Sequence, residues 1–456
     1  MSLTYSIVGL GKLGASMAAA IASRGCGVIG VDVNRDAVDA LNAGRAPVQE
    51  TGLDDLIAAN RTRLRATMSH REAILDSDIT FVIVPTPSDE SGAFSLRHAS
   101  SAFDEIGAAL AQKEDYHLVA LTSTVLPGSM RYGLLPILEQ RAGKACGRDF
   151  GLCYSPEFIA LGSVIHDFLH PDFTLIGEFD ERAGDRLAAA YAEILLDAPP
   201  CARMSLENAE LAKISVNTYL TMKIAFANTL ADLCERIPGG DVDLVCDALG
   251  LDPRIGRKYL TGALGYGGPC FPRDNVALAF LARTLGTRAD LAQTTDRVNR
   301  SLSAAVIERI GADIAGGATV AVLGLAYKPF SHVIEESQGL ILAKALARRG
   351  VRVVAHDPLA GPIAARQLKD QAVICDSIED CVRQASVIII ANPDPAYRLL
   401  DAGDFIDSGR TVTVVDCWRI LAGKLSSQPG IHYVPLGRSV DDERNAERLA
   451  ALWQQV

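Results

Sequence analysis

The stretch VGLGKLG, residues 8–14, constrains this 456-residue chain more than any other. It sets glycines at 9, 11 and 14 between a β-branched run, YSIV, and a helix-forming run, ASMAAAIASRG. A strand, a bare turn and a helix in that order open a βαβ unit. Glycine at these three places allows a tight turn, close approach of a phosphate, and close packing of helix on strand. The helix start then offers unpaired N–H groups and a positive dipole end to that phosphate.

The βαβ rhythm continues. Over residues 4–180 short apolar runs (YSIVG, GVIGVDV, ITFVIVPTP, YHLVALTSTV, GLCYSPEF, FTLIGEF) are mostly separated by helix-length segments, which predicts a parallel, doubly wound sheet. Asp32 stands at the end of the second run, eighteen residues beyond Gly14. A carboxylate there accepts hydrogen bonds from an adenosine ribose and repels a 2′-phosphate, so the motif favours NAD over NADP. From Ser205 to Arg300 long helices take over, beginning with 206–237, more than thirty residues free of Pro and Gly before the stop signal PGG. Residues 317–437 return to strand-like runs: ATVAVLGLAYK, VRVVAHDP, AVICD, SVIIIANP, TVTVVDCW and IHYVPL. The expected organisation is an α/β domain (1–198), a helical central domain with one long helix (199–300) and a second α/β domain (301–456).

With 44 basic and 55 acidic residues the net charge is −11, and no long Lys/Arg run appears. Nucleic acid and anionic membranes are therefore poor partners. No apolar run reaches the ~18–20 residues that span a bilayer, and MSLTYSIVGLG reads as the start of a strand rather than a secretion signal. Ten scattered cysteines without a CxxC pair read as reduced thiols, and the expected location is the cytoplasm. His166 and His170 have i, i+4 spacing, but Asp167 stands where an H-E-x-x-H site needs glutamate, so no metal is expected.

Two further features carry chemistry. GALGYGGPCFPRD (262–274) crowds glycines and prolines around Cys270, so the thiol reads as presented to a ligand, with Asp274 four residues on as a candidate base. A nearby cation favours the thiolate, and Lys213 is the candidate. Lys213 and Asn217 share one face of the long helix, where Ile214, Val216, Tyr219, Leu220, Ile224 and Phe226 suggest burial. On its own residues Lys213 also reads as a snorkelling side chain or a partner of Glu210. Arg254, Arg257 and Lys258 read as a diphosphate site, with a solvated basic face the equal alternative for Arg257 and Lys258.

Taken together, VGLGKLG, VDVN, STVLPG, SPEF, AELAKISVNTYLTMKIAFAN, RIGRKYL, GYGGPCFPRD and LGLAYK resemble, in order, the blocks of the UDP-glucose/GDP-mannose dehydrogenase family. The cysteine loop is similar to that of the UDP-glucose branch. The resemblance implies two Rossmann-like doubly wound domains joined by a helical one, and NAD-dependent, four-electron oxidation of a sugar C6 alcohol. UDP-glucose is the first choice of substrate, with another UDP- or GDP-sugar as the alternative. It assigns covalent attack to Cys270, oxyanion stabilisation to Lys213 and Asn217, water handling to Asp274 and Thr124, and proton transfer to Glu157. It places Gly9, Gly11, Lys12, Leu13, Gly14, Asp32, Pro85, Thr86 and Thr124 around the cofactor. Glu157, Phe158, Lys213, Asn217, Arg254, Tyr259, Gly267 and Lys328 fall to the substrate, Arg254 reaching across a homodimer or higher oligomer. The chain departs from the family pattern at Leu161 for glutamate, Phe173 and Glu335 for arginine, Pro85 for glycine and Arg273 for lysine, and Glu335 is expected to weaken NAD binding. A two-electron 3-hydroxyacid dehydrogenase is the rival reading, but it needs neither the cysteine loop nor a second α/β domain.

Overall fold

The computed structural model describes residues 3–159, 162–406 and 411–454, which leaves Leu161 outside the described residues. Two compact units emerge. One is the chain up to Val216 with Arg283–Leu285; the other is Asn217–Ala282 with the chain from Gly286 on. The long helix, Leu206–Cys234, carries the chain from the first into the second.

The first unit holds eight strands: β1 (Thr4–Val8), β2 (Gly27–Val31), β3 (Leu64–Thr67), β4 (Ile79–Val82), β5 (His117–Leu121), β6 (Phe150–Tyr154), β7 (Thr174–Glu178) and β8 (Cys201–Ser205). Their order is β3-β2-β1-β4-β5-β6-β7-β8. Side chains alternate between two cores, Tyr5, Ile7 and Phe81 on one face and Val8, Val82 and Val119 on the other. Both faces are therefore apolar and covered, as a doubly wound sheet requires. The sheet is not parallel throughout, as the strand rhythm predicted. β7 pairs antiparallel with β6 through Cys153–Glu178 and Tyr154–Gly177. Among its described residues the intervening chain forms only a six-residue helix, Val164–Leu169, which packs on the first helix, Lys12–Ser23. That is too little helix to cross the sheet and start a parallel strand. β3 and β8, absent from the strand reading, are edge strands with almost no β-branched residues, LRAT and CARMS.

The second unit contains β9 (Thr319–Leu323), β10 (Arg352–His356), β11 (Val373–Ile374), β12 (Val387–Ile390), β13 (Val412–Asp416) and β14 (Ile431–Pro435), in the order β11-β10-β9-β12-β13-β14. Every pairing is parallel. This repeats the 3-2-1-4-5-6 order of the first six strands. Between the sheets in sequence lie the long helix and helices Val242–Gly250, Phe271–Thr284 and Asp290–Arg309. Arg419, only 7% exposed, donates to both oxygens of Asp243 (2.8 Å each) and to the Leu436 carbonyl (2.7 Å), tying helix Val242–Gly250 to the six-stranded sheet. The long helix is less buried than its composition suggests. Tyr219, Phe226 and Leu233 are about half exposed, and their seven-residue spacing lines them up on one face.

The opening glycine turn is built twice. Gly9 has φ +100° and Gly324 has φ +102°, and a Cβ on Gly14 would lie 1.8 Å from the Gly9 carbonyl oxygen. A Cβ on Gly339 would lie 1.9 Å from that of Gly324. Each helix thus presses directly on the turn after its strand, and no side chain fits between. Gly339→Ala is expected to cost about 1–3 kcal/mol through this overpacking, measured by chemical denaturation; an unchanged midpoint would show the contact to be slack.

Candidate active site

The first turn suits a dinucleotide. Gly11 caps the helix Lys12–Ser23 without a side-chain hydrogen bond, and a Cβ there would meet nothing within 4 Å. The helix therefore begins beside open space at Gly11, which leaves room for a diphosphate. Asp32 accepts from Leu10 N at 2.6 Å on one oxygen and Asn34 N at 2.8 Å on the other. A carboxylate has about four acceptor sites, so one on each oxygen remains for a pair of ribose hydroxyls.

Two loops at the strand ends are cross-tied. Thr86 Oγ1 donates to the Thr124 carbonyl (2.7 Å), while Ser123 Oγ accepts from Val84 N and donates to Val84 O. Pro85 lies exposed within the first loop. The second loop is anchored to the long helix by Glu210, whose fully buried carboxylate accepts from Gly128 N (2.6 Å) and Met130 N (2.8 Å). Burial pushes the Glu210 carboxyl up to about 7, against the pull of those two N–H groups. Glu210 is thus turned to this loop rather than acting as the simple Lys213 partner that the sequence allowed.

One helical turn later, Lys213 is buried, donates to the Glu157 carbonyl at 2.6 Å, and stands over the Phe158 ring at 4.4 Å. Phe158 in turn packs on Phe173, ring centres 4.7 Å apart. The Phe173 departure therefore extends an aromatic wall under the lysine. Glu157 carries its carboxyl up to about 7, first because burial disfavours the charge, with Lys213 and Tyr191 pulling the other way.

In the second unit Cys270 is exposed and its carbonyl accepts from Asp274 N (2.9 Å), which puts the thiol at the N-terminus of helix Phe271–Thr284. The helix dipole favours negative charge there. Asp274 is 1% exposed and accepts from Asn217 Nδ2 at 2.6 Å; Arg273 stands 3.7 Å from its other oxygen. Behind them Asn275 donates to Thr221 Oγ1 (2.9 Å) and to the Phe271 carbonyl (3.0 Å). The glycines before the thiol are in close contact: a Cβ on Gly267 would lie 2.4 Å from the Glu336 carbonyl oxygen, and Gly268 N donates to the Glu335 carbonyl (2.9 Å). Glu335 therefore contributes its backbone to the cysteine loop while its side chain is exposed. Lys328 lies 5.7 Å from the Tyr327 ring centre.

The basic run divides. Arg257 is a local brace, pairing with Asp247 and donating to the Leu260 carbonyl. Arg254 is exposed and held by Asp252 of its own turn (2.6 Å). Tyr259, 44% exposed, has φ +68°, a strained conformation for an aromatic residue. His170 bonds Asp197 (2.7 Å), and among the described residues no cluster of three or more His, Cys, Asp or Glu is arranged for a metal. The sequence reading missed Glu210's role in holding a loop and the pair Ser155 and Tyr191 beside Glu157. Tyr191 lies 34 residues from Glu157 on an ordinary amphipathic helix, so no motif marks it.

A doubly wound unit with acceptor sites reserved at Asp32, joined in one chain to a thiol presented at a helix start, places the protein among NAD-dependent dehydrogenases. Models of three domains match it in order: the NAD binding domain (residues 3–195), the central domain (207–301) and the UDP binding domain (321–423) of one family. The chain belongs to the UDP-glucose/GDP-mannose dehydrogenase family. It is 36% identical over 426 residues to the UDP-glucose 6-dehydrogenase AglM of Haloferax volcanii, covering 92% of this chain and 97% of that protein. It is 33% identical over 412 residues to the GDP-mannose 6-dehydrogenase of Azotobacter vinelandii, covering 87% and 93%. A solved UDP-glucose dehydrogenase from Pyrobaculum islandicum superimposes with a TM-score of 0.87 at 33% identity, over 96% of this chain and 98% of that one.

Glu157→Gln tests the buried acid. Because its folded value lies near 7, above the ordinary 4.5, the wild type loses stability as pH rises from about 4.5 to about 7 and then levels off. The variant lacks this loss. Its stability relative to wild type is expected to climb across that window by about 3 kcal/mol, read from denaturation at several pH values; a pH-independent difference would refute the shift.

Proposed function

We propose that the protein oxidises the C6 alcohol of UDP-glucose to the carboxylate, four electrons in all, with Cys270 as covalent nucleophile. The observation that carries this is the thiol's setting: exposed, at a helix start, in a Gly/Pro loop, with the Asp274–Asn217 pair directly after it. Two NAD molecules bound in turn would each take up one hydride, the first as the alcohol becomes the aldehyde and the second as the thiohemiacetal becomes the thioester. Cys270 adds to the C6 aldehyde to give a thiohemiacetal, which on oxidation becomes a thioester. Water cleaves the thioester, releasing the carboxylate and restoring the thiol. Lys213 and Asn217 stabilise the oxyanion as it forms. Asp274 and Thr124 hold the water, and Glu157, poised near neutrality, takes and returns a proton. Gly9–Gly14, Asp32, Pro85, Thr86 and Thr124 hold the cofactor; Phe158, Arg254, Tyr259, Gly267 and Lys328 hold the nucleotide sugar. The working divisions are 1–198 for the cofactor, 199–300 for the central segment and 301–456 for the nucleotide. Ten scattered cysteines without a CxxC pair suit a cytoplasmic setting.

Two NADH are expected per sugar oxidised, and Cys270→Ser is expected to retain fold and NAD binding while losing acid formation by several orders of magnitude. One NADH per sugar, or near-normal turnover in the variant, refutes the covalent route. A panel of UDP- and GDP-sugars followed by NADH absorbance tests the choice of substrate.

The same reading makes the protein at least a homodimer, joined through the central segment. Tyr219, Phe226 and Leu233 on the long helix are about half exposed, and Leu244 and Leu251 of the same unit more so (67% and 85%). Apolar stripes of this kind commonly mark interfaces. Sedimentation is expected to give a dimer or larger; a fully active monomer at assay concentration ends the idea.

A further inference from the structure

Beside Glu157 lies a buried hydroxyl chain whose protons cannot satisfy every contact at once. Ser155 Oγ stands 3.1 Å from the Leu175 carbonyl and 2.7 Å from the Tyr191 hydroxyl, which stands 3.3 Å from Glu157 Oε1. Ser155 is 1% exposed and Tyr191 4%, so water is largely excluded from both. Each hydroxyl has one proton to give. With Glu157 ionised, Tyr191 donates to the carboxylate and Ser155 donates to the Tyr191 oxygen, leaving the Leu175 carbonyl without the serine. With Glu157 protonated, its own O–H donates to Tyr191, Tyr191 turns to Ser155, and Ser155 turns to Leu175. Every link is then made in the opposite sense.

We propose that Ser155 and Tyr191 form a reversing hydroxyl relay that accommodates Glu157 in both protonation states, Tyr191 being its positioning residue. No proton leaves either hydroxyl; each rotates about its own C–O bond as Glu157 gains or loses its proton. The proposal deepens the assignment of Glu157 to proton transfer and rests on that reading for its catalytic consequence. It adds how a carboxyl in a dry site changes charge while both hydroxyls beside it stay bonded, the Leu175 carbonyl giving up the serine only in the ionised state. Among the described residues, three titratable groups face this site: Tyr191 from helix Glu181–Ile194, Lys213 from the long helix, and Cys153 from β6. Lys213 holds its ammonium on the Glu157 backbone carbonyl, and burial raises the Cys153 thiol well above its ordinary range. Tyr191 bonds the carboxyl itself.

The test is the infrared carboxyl band of Glu157 in the full-length protein, assigned by its loss in Glu157→Gln and titrated in Tyr191→Phe and Ser155→Ala. A hydrogen bond to a carboxylate is stronger than the same bond to its acid. Removing the tyrosine hydroxyl is therefore expected to raise the Glu157 midpoint by about half a unit to one unit. Ser155→Ala is expected to raise it less, by weakening Tyr191 as a donor. The Glu157-dependent limb of the kcat profile is expected to move with the midpoint, with KM for NAD unchanged. Unshifted or lowered midpoints overturn the relay; if Tyr191→Phe does not fold, Ser155→Ala alone decides. Should Glu157→Gln leave kcat intact, the catalytic assignment of Glu157 falls, while the titration still judges the relay.

Discussion

Everything in both units hangs on a helix pressed against the turn that follows its strand, with no Cβ between them. Gly14 on Gly9 and Gly339 on Gly324 are the same contact, to a tenth of an ångström. Closeness there fixes how the first helix of each unit lies on its sheet, and that in turn fixes where its N-terminus points. In the first unit the helix starts three residues after the turn and opens on room for a phosphate. In the second, residues 325–337 intervene, and the helix begins only at Gln338. One steric constraint therefore supports two uses.

The insertion is where the second unit acquires its connection to the thiol. Residues 335 and 336 press their carbonyls on Gly268 and Gly267, so the bare loop before Cys270 is bare because another backbone occupies the space. The sequence reading took those glycines as room for a ligand. Part of that room belongs to the protein, and what stays open is the thiol itself, at the start of Phe271–Thr284.

Much of this was legible in the residues, and the limits have physical causes. Strands buried on both faces announce themselves as β-branched runs, so the central strands of both sheets were readable; the edge strands LRAT and CARMS, half solvated, were not. The reversal of β7 depends on how much helix residues 155–173 can form, which no periodicity encodes. Cys270 and Asp274 were marked by their Gly/Pro setting, and Lys213 and Asn217 only by sharing a helix face beside that loop; the structure bonds Asn217 to Asp274. Glu210 and Tyr191 were not marked, since their meaning lies in partners far along the chain: Gly128 and Met130 for one, Ser155 and Glu157 for the other. Composition gave the long helix as buried; exposure of Tyr219 and Phe226 shows that apolar character alone does not say what covers a face.

The two aspartates at the ends of β2 and β10 show how a duplicated device can part ways. Asp32 holds two backbone N–H groups and keeps acceptor sites in reserve. Asp357 holds four, from Leu325, Ala326, Leu359 and Ala360, and has none left. The first is a socket and the second a rivet. On the proposed reading, exchanging Asp32 alters how a ribose is held and frees two backbone N–H groups. Exchanging Asp357 would loosen the start of segment 325–337, the same segment whose far end backs the thiol loop. Of two residues that look alike in a sequence, the one that touches no ligand is the harder to replace.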